Sequence, residues 1–247
     1  MAFASGGSSP VPDWLQAAYH SGTAFYGFIA VLLVVEAGFP HRENAGDSVR
    51  RWSLHGVLLV ASRGIGWAIA WLTTWVFTAP AGTAWHGWPH LVLMLLVLDA
   101  AVYGLHRLSH AVPLLWRFHS LHHDDVILDA GTTWRHHPAE MIISGLAIGS
   151  IAGMVGVQPV ELGIYAVLAE TVQVIAHANL ALPERLARYA AWVMVTPALH
   201  HAHHSPDVAF TDTNYGEVLV VWDRLFGTLN DRPCPPGFGL LNQPVQK

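Results

Sequence analysis

Apolar positions run almost unbroken through four stretches of the chain, and polar positions gather between them. The stretches are Thr23 to Phe39, Val57 to Ala79, Leu91 to Leu105 and Met141 to Ala176. A helix needs roughly 17–25 apolar residues to cross a bilayer, so each of the first two can make one span. The third is short and carries Asp99. The fourth is interrupted at "GVQPVE", where Pro159 lacks an N–H and disfavours helix in the residue before it. That break predicts a helical hairpin of two shorter spans. The pattern as a whole predicts an all-α integral membrane protein with about four spans, and a polar cap rich in histidine on one side.

Composition supports the membrane class. The chain is 53% hydrophobic and only 12% charged, against about a quarter charged in a soluble domain. Eleven Trp and six Tyr suit interfacial anchoring. With 12 Lys plus Arg against 17 Asp plus Glu, there is no basic stripe for nucleic acid. The single cysteine, Cys234, excludes an internal disulfide and a thiolate metal cage. The N-terminus has no basic region followed by an apolar core, so no cleaved signal peptide is expected.

Charge placement gives an orientation. Arg42, Arg50 and Arg51 follow the first span, and Arg107, Arg117 and Arg135 follow the third. Arg185, Arg188, Arg224, Arg232 and Lys247 follow the hairpin, and Arg63 lies within snorkelling reach of the same side. The N-terminal tail, the loop "PAGTAWHGWPH" and the hairpin turn hold no Lys or Arg. The positive-inside rule then puts the N-terminus outside and the C-terminus in the cytosol. Leu180 to Pro197 mixes arginines and aromatics with apolar residues and suits an interfacial helix.

Of the 17 histidines, fourteen fall on the predicted cytosolic side or at its membrane boundary. "HRLSH" places His106 and His110 at i, i+4. "HSLHH" places His119, His122 and His123 at i, i+3, i+4, and "HHAHH" repeats that spacing with His200, His203 and His204. Residues three and four apart share a helix face, so each group is expected to aim its imidazoles at one point. His201 points off that face. Isolated histidines such as His41 and His55 read as solvated loop residues. Neutral imidazole ligates Fe, Zn, Cu and Ni, and eight imidazoles exceed one tetrahedral zinc. They suit two metal ions with open positions. The paired Glu-x-x-His pattern of carboxylate-bridged di-iron bundles is missing.

Taken together, "DAAVYGLHRLSH", "RFHSLHHDD", "TTWRHHPAE", "AHANL", "TPALHHAHHS" and "DTNYGEVLVVWDRLFGTL" resemble the fatty acid hydroxylase/sterol desaturase superfamily of membrane di-iron enzymes, in the family's order, over roughly residues 91–229. The resemblance implies two iron ions, O2 as co-substrate and attack on a C–H bond of a lipid substrate, with hydroxylation favoured over desaturation. It carries over His106, His110, His119, His122, His123, His200, His203 and His204 as metal ligands and adds His177. Where relatives place a further His or Asn four residues before His177, this chain has Gln173. In "RHHPAE", His137 matches the motif as a ligand or a group that orients one, and His136 falls at its variable position. Asp99, Asp124, Asp125, Glu140, Asp207 and Asp212 are candidates to orient ligating imidazoles. Asp99 ranks first because an ionisable residue inside a span is a functional candidate. Asn179, Asn214 and Tyr215 are expected to position loops over the metals.

Three segments follow: 1–90, a tail and two-span anchor; 91–230, the hydroxylase-like di-iron domain; 231–247, a tail. No flavin or nicotinamide glycine fingerprint and no iron–sulfur cysteine set is present, so an external ferredoxin or cytochrome-type electron donor is implied. The alternative is a histidine-rich metal transporter, or a metal-binding protein without oxygenase activity. A haem-binding membrane subunit needs far fewer histidines, and a zinc protease would show H-E-x-x-H.

Overall fold

The computed structural model of the chain describes residues 13–41, 48–77, 87–233 and 237–240. Outside them lie the N-terminal tail, Arg42, most of the "PAGTAWHGWPH" loop with His86, Cys234 and residues 241–247, together with the side chains of His20 and Arg63. Every regular element among the described residues is helical, and the β contact found there is an isolated bridge between Met194 and Leu219.

The long apolar runs become α1 (Asp13–Gly38), α2 (Ser48–Leu58), α3 (Gly64–Phe77) and α4 (Trp88–Ala111). A π-helical turn, Leu59–Arg63, joins α2 to α3, so Val49–Phe77 is one continuous 29-residue helix. α5 (Pro113–His123) is followed by the predicted hairpin, α6 (Pro138–Val155) and α7 (Pro159–His177). Short helices complete the chain: α8 (Glu184–Ala190), α9 (Pro197–His203), α10 (Val208–Thr211) and α11 (Val221–Phe226). Among the described residues, four helices are long and apolar enough to cross a membrane: Val49–Phe77, Trp88–Ala111, Pro138–Val155 and Val160–His177. Phe25–Gly38 is a shorter apolar helix.

Proline punctuates this pattern. It occupies the first turn of α4, α5, α6, α7 and α9, where its missing N–H costs nothing and its fixed φ suits the helix. The hairpin turn is made by Gly156 at φ 85 and a reciprocal cap between Gln158 and Glu161. At the same end of the bundle His90 Nδ1 lies 2.9 Å from Glu161 Oε1 and ties α4 to α7.

α6 packs on α3 through Gly145, Gly149 and Gly153, each four residues apart. A Cβ on Gly145 would lie 2.5 Å from the Gly66 carbonyl oxygen, and one on Gly149 would lie 2.5 Å from that of Ala70. Such contact lets the backbones approach where lipid offers no hydrophobic drive for helix association. Thr74 Oγ1 donates across the seam to the Gly149 carbonyl at 3.2 Å. Gly149→Leu is expected to force α6 off α3 and cost more than about 3 kcal/mol. Gly163→Leu, which meets nothing within 4 Å, is the matched control. Thermal unfolding of both variants in detergent checks this.

α8 and the segment after it lie at the surface, with Leu186, Tyr189, Trp192 and Val193 exposed. Of the Leu180 to Pro197 stretch expected to form an interfacial helix, Glu184–Ala190 is helical.

Candidate metal centre

The C-terminal ends of α4 and α7 and the N-terminal end of α6 come together at one end of the bundle, and α5 and α9 cap that end. His106 and His110 come from α4 and His177 from α7. His119, His122 and His123 lie on α5; His200 and His203 lie on α9, with His204 as its C-cap. Their ligating nitrogens form two sets, each with all atoms within 4.8 Å of one another. One set is His106, His110, His119, His123 and His203. The other is His122, His177, His200 and His204. The sets adjoin, with the His123 and His204 rings stacked at 4.4 Å.

This corrects one expectation. Neither H-x-x-H-H group aims at a single point: α5 sends His119 and His123 to the first set and His122 to the second, while α9 sends His203 to the first and His200 and His204 to the second. The reason is helical phase. At 3.6 residues per turn, i+3 falls about 60° behind residue i and i+4 about 40° ahead, so the pair flanks i by enough to face different neighbours.

The hydrogen bonds behind the rings decide which nitrogen faces inward. His106 Nδ1 lies 3.0 Å from the Tyr215 carbonyl oxygen, His177 Nδ1 2.8 Å from that of Gln173 and His203 Nδ1 2.6 Å from that of Thr213. A carbonyl only accepts, so in each ring Nδ1 carries the proton and Nε2 keeps a bare lone pair. Yet His106 Nε2 faces His203 Nε2 at 3.1 Å, and His177 Nε2 lies 2.9 Å from His200 Nε2 and 3.1 Å from His122 Nε2. In the His106–His203 pair, where carbonyls fix both tautomers, two lone pairs at that distance repel unless a cation lies between them. A proton does not answer, because burial lowers His203 to about 3. Buried, neutral, converging imidazoles fit a metal ion.

Burial, reinforced by neighbouring imidazoles, also holds His122, His123, His200 and His204 well below the usual 6.5. The folded chain therefore binds protons more weakly than the unfolded chain. Its stability is intact above about pH 6.5 and is lost progressively as the pH falls from there toward the folded values. Each such group contributes up to ~1.4 kcal/mol per pH unit in that window. Metal-free protein is expected to lose several kcal/mol of unfolding free energy between pH 7.5 and 5.5, read by chemical denaturation; a flat profile would contradict the neutral, buried imidazoles.

Two of the six candidate carboxylates orient rings, both in the five-histidine set. Glu140 Oε1 accepts from His119 Nδ1 at 2.7 Å, and Asp212 Oδ1 from His110 Nδ1 at 3.1 Å. Asp99 is placed elsewhere. Its carboxylate accepts from Tyr165 Oη, the Val218 and Leu219 amides and Trp222 Nε1 at 2.8–3.1 Å. Asp125 accepts from Arg51 and Thr132, Asp124 pairs with Arg135 and Asp207 caps α10. Burial pushes the Asp125 carboxyl up, but His55, Arg51 and Arg135 outweigh it and hold it below the ordinary range.

His137 caps α6, its Nδ1 accepting from the Ala139 amide at 3.1 Å, and enters neither set. The neighbour assigned to a variable position does more. His136 stacks on His122 at 4.3 Å, and its Nδ1 lies 3.1 Å from Glu140 Oε1. Gln173 Nε2 donates to the Glu217 carbonyl at 2.6 Å. His201 rests against Phe238, outside both sets. His41 is exposed, but His55 is fully buried on α2, with Nε2 3.2 Å from Asp125 and its ring against Gly131, where a Cβ would meet Nδ1 at 2.5 Å. The solvated-loop reading of His55 is therefore overturned by a buried Arg51–Asp125–Asp129 network that the linear pattern did not reveal.

Sequence reasoning also passed over Glu36. Near the end of α1, it accepts from the Ala130 and Asn179 amides and anchors that helix beneath the site. The rule that singled out Asp99, an acid within an apolar run, would have found it.

The "NYG…WDRLFGT" stretch fixes the remaining wall. Asn214 takes a left-handed φ of 56, and its amide donates to the Leu199 and Asn230 carbonyls. Asp223 accepts from the Tyr215 and Gly216 amides, both at 2.8 Å. That clamp holds the Tyr215 carbonyl against His106. Beneath the imidazoles a cavity of about 140 Å³ runs between α3, α4, α6 and α7, meeting His106, His119, His122, His177 and His200 at one end.

A sequence profile described as Fatty acid hydroxylase matches residues 91–228, more than half of the chain and all of this site. The chain belongs to the fatty acid hydroxylase family. Among the relatives of this chain, an ornithine lipid hydroxylase of Rhizobium tropici (OlsE) is 31% identical over 90% of the chain and 69% of its own length. An alkylglycerol monooxygenase of Xenopus tropicalis is 25% identical over 88% of the chain; the chain spans about half (48%) of that relative. A cholesterol 25-hydroxylase-like protein of Danio rerio is 30% identical over 57% of the chain and 55% of its own length. No solved structure matches significantly.

Proposed function

We propose that this family member is a membrane-bound, O2-dependent hydroxylase of a lipid C–H bond that works with two iron ions. The observation that carries the reading is the division of nine histidines, eight of them buried and His106 half-buried, into converging sets of five and four at the head of an apolar cavity. In this reading His106, His110, His119, His123 and His203 hold one iron, and His122, His177, His200 and His204 hold the other. The iron pair, when bound, supplies the oxidising power for C–H cleavage. The chain's own residues hold the metals, exclude water and position the carbon. Carbonyls at Tyr215, Thr213 and Gln173 and carboxylates at Glu140 and Asp212 keep inward nitrogens free of protons.

The relatives named for lipid hydroxylation support a lipid substrate, and the apolar helices support delivery from the bilayer. Placing the histidine end in the cytosol follows from the arginines gathered there. Two electrons per turnover come from an external ferredoxin or cytochrome-type donor. Exposed Arg117, Arg185 and Arg188 offer it a basic face. A transporter would need ligands along the spans, whereas these nine meet at one end.

The test is turnover of purified, iron-loaded protein in lipid discs with a reductant and labelled oxygen, ¹⁸O2. One labelled oxygen atom in a lipid product, with two irons per chain, is the expected result. Loss of two hydrogens without label would indicate desaturation, and haem or iron uptake into sealed vesicles without product would overturn the oxygenase reading.

A further inference from the structure

The cavity has a floor, and the floor is built from named residues on four helices. On α6 it is lined by Glu140, Met141, Ser144, Gly145 and Ile148, and on α7 by His177, Gln173, Ala169 and Tyr165. Both series follow the three- and four-residue spacing of one helix face. Each therefore reads as a ladder from the imidazoles downward, and at 1.5 Å per residue Ile148 lies about 12 Å from Glu140 along the helix. α4 contributes Leu105 and Val102 and α3 contributes Ala70 at corresponding depths.

Below this level the bundle closes. Leu98, one turn beneath Val102, and Ala152, one turn beneath Ile148, are both fully buried at 0% exposure. Tyr165 is 1% exposed, and its hydroxyl is taken up by Asp99, which does not line the cavity. The floor thus offers an aromatic ring and an aliphatic side chain without a free polar group. Away from the histidine end, the half-buried apolar lining residues are Trp67 on α3 and Val102 and Leu105 on α4, and they put the side open to the apolar exterior between these two helices.

We propose that Ile148 and Tyr165 form an end-stop for an unbranched alkyl chain that enters between α3 and α4, methyl end first, and that their position selects the carbon presented to the histidines. A narrow slot with an apolar floor accepts a methyl terminus and rejects a charged head, because burying an unpaired charge there has no compensation. Asp99 is a positioning residue for the stop, holding Tyr165 through its hydroxyl. The substrate class depends on the hydroxylase reading; the alkyl-chain site itself does not.

The experiment separates the two. Purified protein in detergent is titrated with a homologous series of straight-chain alkanols, and the rise in Tm is read for each length, since a ligand that binds only the folded state stabilises it. The wild type is expected to show a length optimum. Ile148→Ala removes three side-chain carbons and should lengthen the optimum by about two to three carbons. Ile148→Phe should shorten it. Val167→Ala, on the exposed side of α7, should leave it in place. Ile148→Val covers the case in which the alanine variant fails to fold, with a smaller shift in the same direction. One optimum shared by all folded variants, or no stabilisation at any length, overturns the end-stop. In turnover with membrane lipids, the new hydroxyl should move farther from the methyl end in Ile148→Ala. A length optimum that tracks position 148 in protein that never hydroxylates a lipid would sink the hydroxylase reading and leave the alkyl site standing.

Discussion

His203→Ala is expected to remove about one of two irons and to lower lipid hydroxylation by more than a hundredfold. The magnitude follows from position. Changing a residue that merely orients a ligand costs roughly 10–100-fold in affinity or activity, and loss of a ligand should exceed that. His203 sits opposite His106 with its tautomer set by the Thr213 carbonyl. Its removal opens the five-histidine set while leaving the set around His177 intact. His200→Ala is expected to do the reverse, losing the iron of the four-histidine set. His201→Ala, in the same short helix but outside both sets, should retain both irons. Metal analysis beside Mössbauer spectra of the three variants distinguishes these outcomes. Equal loss in His203→Ala and His200→Ala of both irons would argue for one inseparable cluster rather than two sets.

Asp99→Leu is expected to destabilise the protein by at least about 3 kcal/mol, since hydrogen bonds to a charged group are worth roughly 1.5–3 kcal/mol each and stranded buried donors add a penalty. Four donors converge on this carboxylate: Tyr165, Trp222 and the amides of Val218 and Leu219. They belong to α7 and to the segment that carries Tyr215, so the loss reaches the centre through the Tyr215 carbonyl and His106. Asp99→Asn preserves shape but turns an amide NH2 toward some of those donors, and should recover only part of the loss. The readouts are Tm and iron retention during dialysis against a chelator. Wild-type iron retention in a clearly destabilised Asp99→Leu protein would show that the clamp stabilises the fold without reaching the metal centre.

Much of this was legible in one dimension. Apolar runs are local statements about which segments can leave water, so the span helices and the proline-broken hairpin follow from them directly. Proline and glycine at helix ends act through their own φ and missing N–H, which need no partner to be read. The histidine spacings were visible for the same reason, as was the chain's likeness to a histidine-rich membrane family.

Other features depended on neighbours distant in sequence. His55 looked like a loop residue because the partners that bury it, Asp125 and Gly131, lie some seventy residues away. His136 and His137 are adjacent and chemically identical, and only the approach of α5 decides that the first stacks on His122 while the second caps α6. The imidazole tautomers are set largely by backbone carbonyls, which every residue has and no side-chain motif advertises. Asp99 was expected to orient a ligating imidazole; instead it accepts from Tyr165 and from a loop more than a hundred residues later, partners that the linear pattern does not show.

The sequence alone therefore determined which segments leave water, which residues can bind metal and the family they belong to, because those depend on local composition and spacing. Only the tertiary structure decided how the nine histidines divide, which nitrogens face inward and where the cavity ends, because those depend on the relative phase of helices packed from distant parts of the chain.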